Sequence, residues 1–264
     1  MAQHTIRFDD GAAYERGMGI WSQLAGQVFL DWLASPPGLR WIDVGCGNGA
    51  FTELLVQRHA PAEVQGIDPS EAQLKFARTR PAVQGATFLQ GDAMALPFGN
   101  GRFDAAVMAL VIFFVPDPAK GVAEMARVVG PGGTVAAYAW DLLGGGLPFA
   151  PIHAEFRALG FTPPLPPSAD VSRIAALREV WTGAGLEGIE TREITVRRSF
   201  SDFDEYWSTS VAVGSMQPML AEMAVGDVEQ LKDRVRARLS VDATGRVTHH
   251  ARANAIKGRV PKAP

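Results

Sequence analysis

Between residues 40 and 140, short apolar, β-rich runs alternate with stretches whose apolar residues recur every three or four positions. No other feature constrains the fold as strongly. Strands separated by helix-length crossovers pair in parallel, and the resulting sheet is covered by helices on both faces. "RWIDVG" reads as the first strand, followed by glycines. Phe51, Leu54, Leu55 and His59 then fall on one face of a helix. "VQGID" is a second strand, and Ser70 with Gln73 forms a capping box that opens the next helix. "ATFLQGD" is a third strand and "FDAAVMALVIFFV" a fourth, its unbroken apolar character fitting a strand buried on both sides. Val122, Met125, Ala126 and Val129 mark a helix stopped by "GPGG", and "TVAAYAW" is the fifth strand.

After Trp140 the pattern loosens. Residues 142–170 are rich in Gly and Pro and read as a lid or loop. Residues 171–184 read as a helix and "EGIETREITVRRSF" as a strand. A largely helical stretch follows, and the tail "RVTHHARANAIKGRVP" is a last strand. The expected division is an N-terminal helical cap over 1–39, a core over 40–141, the lid loop over 142–170, and the remainder of the core over 171–264. A helical insertion occupies about 201–243 of that remainder.

Composition removes several classes of function. A formal net charge of −3 gives no electrostatic footprint for nucleic acid. Cys46 is the one cysteine, so neither a disulfide nor a cysteine-based metal site forms within the chain, and no metal is expected. The longest apolar run, residues 105–115, is too short to span a bilayer as a helix. The first residues lack the pattern of a secretory signal, and a cytoplasmic setting is the expectation.

In a doubly wound sheet, ligands gather at the carboxyl ends of the strands, so the residues that end each strand carry the information. "WIDVGCGNGAF" can be read in two ways. Gly45, Gly47 and Ala50 fit a dinucleotide fingerprint, while Gly45, Gly47 and Gly49 fit the loop of S-adenosylmethionine (SAM) enzymes. Either loop offers a close backbone approach and a helix N-terminus to an anion. Asp68, ending the second strand, can accept both hydroxyls of a ribose in either case. Asp92, ending the third, can accept from an adenine amino group while the Ala93 N–H donates to the ring.

"WIDVGCGNGAF", "GIDPS", "FLQGDAMALPF", "FDAAVMALVIFFVPDP" and "EMARVVGPGGTVAAYAW" follow one another at the spacing of class I SAM-dependent methyltransferases. The chain most resembles the ubiquinone- and menaquinone-biosynthesis branch of that family. The resemblance covers residues 40–140 closely, and "AAYERGMGIWSQL" resembles the helix that closes over SAM. It implies a doubly wound, mostly parallel, seven-stranded Rossmann-like sheet with an antiparallel last strand. It also implies SAM as cofactor, with S-adenosylhomocysteine as product. By position, Asp43, Gly45, Cys46, Gly47 and Gly49 surround the methionine part, Asp68 the ribose, and Gly91, Asp92 and Ala93 the adenine. Pro69 or Met94 packs on the ring, Ala109 and Leu110 lie beside the sulfonium, and Tyr14 and Trp21 come from the cap. Many relatives carry a polar stretch where this chain has "ALVIFFVPDP", which implies an apolar wall instead. The Tyr-x-x-x-Lys pair of short-chain reductases is absent, which favours SAM over a dinucleotide.

No catalytic residue is demanded by methyl transfer from a sulfonium; Asp141 and His153 are candidate bases. Cys46 reads as a packing residue within the loop, and His249 and His250, adjacent on a strand, point to opposite faces. Phe113, Phe114, Trp140, Phe161, Tyr206 and Trp207 are candidates for the walls of a substrate pocket. The expected partner is a small, apolar or aromatic acceptor. The alternatives are a protein or RNA methyltransferase and an NAD(P)-binding oxidoreductase.

Overall fold

The structure is a computed structural model that describes residues 15–83, 85–212 and 216–262. A wide helical turn at Glu15–Gly19 leads into α1 (Ile20–Leu33). The core then alternates: β1 (Arg40–Val44), α2 (Ala50–His59), β2 (Glu63–Asp68), α3 (Glu71–Ala77), β3 (Ala86–Gln90), β4 (Phe103–Ala109), α4 (Pro118–Val128) and β5 (Val129–Trp140). Beyond it lie α5 (Ala150–Ala158), α6 (Ile174–Gly183), β6 (Glu187–Phe200), α7 (Phe203–Val211), α8 (Met216–Ala221), α9 (Val225–Arg238), β7 (Ser240–Val241) and β8 (Val247–Arg259).

The sheet order is β3-β2-β1-β4-β5-β8-β6, and β8 runs antiparallel to both of its neighbours. This is the expected seven-stranded arrangement, with the two-residue β7 added against β8. The order reverses at β1, whose two neighbours are β2 and β4. A crevice therefore opens at the carboxyl ends of these strands, where the connecting segments diverge to either face.

Local chemistry explains the helix starts. Ser70 accepts from the Gln73 N–H at 3.4 Å, Asp117 from Lys120 at 3.0 Å and Asp202 from Glu205 at 2.8 Å. Each satisfies an N–H that has no partner inside its helix. Pro118 stands at the first position of α4, where its missing N–H costs nothing. On one face of the sheet, Phe29 of α1 packs between Phe51 of α2 and Tyr138 of β5. On the other, Trp181 of α6 is fully buried and its indole N–H donates to the Val135 carbonyl at 3.0 Å. Fully burying side chains such as Trp41, Ile42, Ile67 and Phe103 contributes about 1.5–3 kcal/mol each.

Three sequence expectations change. The fourth strand stops at Ala109, because Leu110 takes a left-handed backbone (φ 60°) and Ile112–Phe114 forms a single 3₁₀ turn. The apolar run 105–115 is therefore a strand followed by a buried turn, and hydrophobicity alone does not separate the two. "GPGG" does not form a separate turn between helix and strand. β5 begins at Val129, and the irregularity is taken up as a register shift opposite Phe103 and Ala105. Within 142–170, residues 150–158 form a helix with Ile152, His153, Glu155 and Phe156 buried.

Candidate functional site

At the switch point the chain leaves β1 through Gly45, Gly47 and Gly49, all with positive φ (77°, 51° and 78°). The Gly45 and Cys46 N–H groups donate to the Ile67 carbonyl at 2.7 and 3.0 Å, tying the loop to the end of β2. At Gly45 a Cβ would fall 2.3 Å from Val111 Cγ1, so a side chain is excluded by both space and backbone. At Gly47 nothing lies within 4 Å of a Cβ position, so the backbone there is open to a ligand.

Asp68 anchors the loop from the neighbouring strand. Its Oδ2 accepts from Gly47 N–H at 2.9 Å and its Oδ1 from Ser70 N–H at 2.8 Å. Burial raises its pKa above the ordinary carboxylate value, against those two hydrogen bonds. Asp43 lies deeper and is fully buried. Its Oδ2 accepts from the Thr52 hydroxyl at 2.6 Å, while Oδ1 has no hydrogen-bond partner among the described residues. Burial pushes its pKa up to about 7; the Thr52 bond opposes this and the nearby Asp68 adds to it. Burial also pushes the Cys46 thiol well up, and its side chain packs with Leu74, Ala77, Val83 and Phe88. It is a packing residue at the edge of the site rather than a nucleophile.

These groups line a cavity of about 450 Å³, a size suited to a cofactor. Asp43, Gly45, Cys46, Gly47 and Asn48 line it from β1 and the loop that follows, and Asp68, Pro69, Ser70 and Gln73 from the end of β2 and the start of α3. Ala109, Leu110, Val111 and Phe114 make an apolar wall, and Ser22, Ala50, Phe51 and Tyr138 close the remaining side. Carboxylates at the ends of two neighbouring strands, exposed loop backbone and an apolar wall can hold a ligand that has a cationic end, vicinal hydroxyls and an apolar reacting centre.

Of the residues read from sequence, Asp43, Gly45, Cys46, Gly47, Asp68, Pro69, Ala109, Leu110 and Phe114 meet in this cavity. Others do not line it. Gly49 turns into α2, its Cβ position 3.0 Å from Ala77. Gly91 donates to the Asp68 carbonyl, and Asp92 accepts from Met94 N–H at 2.8 Å within the turn after β3 that also holds Ala93. Trp21 is buried against Phe200 and His249. Phe113 packs on Phe114, Phe161 on Phe156, and Trp207 on Phe203. Trp140 and Tyr206 are core side chains. Tyr14 lies outside the described residues.

Neither candidate base reaches the cavity. Asp141 accepts from Arg252 Nη2 at 2.6 Å and from Gly144 N–H at 2.9 Å, which makes it the anchor of a turn. His153 lines a second cavity together with His249, whereas His250 is exposed on the opposite face of β8. Sequence reasoning missed Ser22, Asn48, Ala50, Phe51, Ser70, Gln73, Val111 and Tyr138 as lining residues. For Ser70 and Gln73 a signal existed: a capping box placed directly after the strand-ending Asp68.

Residues 42–137 match the family described as "Methyltransferase domain". Residues 42–137 thus carry the segment matched by that methyltransferase family, and they include the loop at the switch point. A demethylmenaquinone methyltransferase of Renibacterium salmoninarum is 36% identical over 138 residues, 50% of this chain and 55% of that protein. The chloroplastic 2-methyl-6-phytyl-1,4-hydroquinone methyltransferase 2 of Oryza sativa subsp. japonica is 43% identical over 95 residues, 36% of this chain and 27% of that protein. The chain thus spans between about a quarter and just over half of these relatives. Among solved structures, phosphoethanolamine N-methyltransferase 2 of Haemonchus contortus in complex with SAM superposes with a TM-score of 0.59 at 18% identity, covering 97% of this chain and 58% of that one. The [4+2]-cyclase SpnF superposes at 0.53 and 19% identity, covering 99% and 89%. These likenesses concern the fold alone, which evidently carries more than one chemistry.

Proposed function

We propose that this chain binds SAM in the 450 Å³ cavity and transfers its methyl group to a small, apolar or aromatic acceptor. The observation that carries the reading is Asp43, a fully buried carboxylate with one oxygen unpartnered among the described residues, lining the cavity beside an open glycine loop. A buried carboxylate is costly unless paired, and an α-ammonium group is the partner that SAM provides. Asp68 at the end of β2 supplies ribose acceptors, and the two curated relatives named above carry the names of methyltransferases of quinone-type molecules.

SAM, when bound, supplies a methyl group already activated on a sulfonium. What remains for the protein is alignment and exclusion of water, and alignment alone supplies several powers of ten in rate. Gly45 and Gly47 fix the backbone of the cofactor loop. Ala109, Leu110, Val111 and Phe114 keep the reacting end dry and offer no competing nucleophile. With Asp141 held by Arg252, no general base is assigned, which suits an acceptor that is nucleophilic without one.

Methyl-labelled SAM incubated with the protein and a panel of alkylated hydroquinones, phenols and aromatic carboxylic acids, beside bulk tRNA and a peptide pool, tests the reading. Label is expected in the small-molecule extract. Label found only in tRNA or peptide would overturn it.

A further inference from the structure

A second cavity, of about 540 Å³, opens farther along the same edge of the sheet. Tyr138 of β5 faces the first cavity, whereas Leu142, just past the end of β5, and His249, near the start of β8, face the second. Its mouth carries Leu143 and Leu165, which are 39% and 46% exposed and among the few large apolar side chains left in water.

Its polar groups are of one kind. Among the described residues no Asp or Glu lines it; Arg157, Arg238, His153 and His249 do. Arg238 donates to the buried Glu155, a carboxylate that Arg234 also faces at 3.6 Å. The Arg157 guanidinium is exposed and has no partner among the described residues. His153 is only 8% exposed, and its ring makes no hydrogen bond among the described residues, only an edge contact with Phe149. His249 Nε2 is buried and equally without a partner, while its other ring nitrogen donates to the Pro148 carbonyl. Burial holds both imidazoles at about 4, so they are neutral at pH 7 and each carries one N–H.

We infer that this cavity binds a monoanionic organic acid with an apolar body, its carboxylate seated on Arg157 and hydrogen-bonded by His153. Arg157 is the lining cation without an ion-pair partner among the described residues, and a guanidinium fork fits a carboxylate. A cationic ligand finds no counter-charge among the described lining residues. The acid's oxygens supply a partner for the His153 N–H. The inference rests on the methyltransferase reading in one respect: it makes the acid the methyl acceptor, anchored beside the cofactor cavity.

The test is calorimetry on the full chain with 4-butylbenzoate and its neutral counterpart 4-butylbenzamide, and separately with S-adenosylhomocysteine, using the wild type and Arg157→Gln. Benzoate is expected to bind at least about tenfold tighter than benzamide. Arg157→Gln should bring the two within about twofold and leave S-adenosylhomocysteine binding unchanged. Equal binding of the two probes, no binding of either, a preference that survives Arg157→Gln, or competition between benzoate and S-adenosylhomocysteine would each overturn the site. Selective benzoate binding without any S-adenosylhomocysteine binding would uphold the carboxylate site and overturn its role as acceptor chamber.

Discussion

Asp43→Asn separates stability from ligand binding at one atom. In the folded protein the carboxyl is raised from 3.8 to about 7, chiefly by burial. Between those values the native state holds a proton that the unfolded chain has released. The associated stability is therefore complete below pH 3.8 and lost as pH rises through about 7. A displacement of that size corresponds to about 4 kcal/mol, an upper figure for a group without solvent contact. Asparagine keeps an acceptor for the Thr52 hydroxyl and removes the charge. The ligand-free variant should match the wild type near pH 4 and exceed it by about 2–4 kcal/mol at pH 8. His153 and His249, held at about 4 rather than 6.5, act in the opposite direction: their contribution is present above 6.5 and lost as pH falls towards 4. The wild-type curve alone thus mixes opposed slopes, and the difference between variant and wild type in urea unfolding isolates Asp43. S-adenosylhomocysteine, which carries the same α-ammonium, should bind the wild type about tenfold more weakly per pH unit below 7 and bind the variant at least tenfold more weakly at pH 8. A variant less stable than wild type at pH 8, with undiminished ligand affinity, would refute the reasoning.

Three further outcomes are expected. Gly45→Ala should cost about 2–5 kcal/mol in urea unfolding, combining a left-handed alanine with overpacking against Val111; adding Val111→Ala should recover part of the steric share and none of the backbone share. Asp141→Ala should lower stability by about 1–3 kcal/mol, since it removes the carboxylate that Arg252 grips and frees the turn at Gly144, while turnover per folded molecule stays unchanged; a large loss of turnover at full stability would make Asp141 a base after all. His153→Phe should remove part of the stability loss between pH 6.5 and 4, read as the pH dependence of the thermal midpoint; a variant as acid-sensitive as the wild type would show that the buried imidazole is not the source.

The lining of the switch-point cavity by the ends of β1 and β2 was legible because its signals are local. Strand, glycine turn, helix and terminal carboxylate sit within a few residues of one another, so Asp43, Gly45, Gly47 and Asp68 could be placed without the fold. What depends on distant chain segments could not be read. Asp141 looked available because Arg252 lies 111 residues away. Trp140 and Tyr206 resembled pocket walls because nothing in an aromatic side chain distinguishes core from lining. The strand that ends at Ala109 was overextended because Leu110 adopts its positive φ within an unbroken apolar run. Tyr138 was invisible as a lining residue because only the packing of α1 and α2 on β5 decides what that face of the strand meets.

The central claim is that the glycine loop and Asp68 hold an S-adenosyl ligand. Calorimetric titration of the purified chain with S-adenosylhomocysteine and with NADH, repeated on Asp68→Ala, tests it most directly. Losing a charged acceptor for two ribose hydroxyls should weaken S-adenosylhomocysteine by about 10- to 100-fold, with NADH showing no binding to either protein. Binding of NADH alone, weakened in Asp68→Ala, would contradict the account and return the loop to the dinucleotide reading.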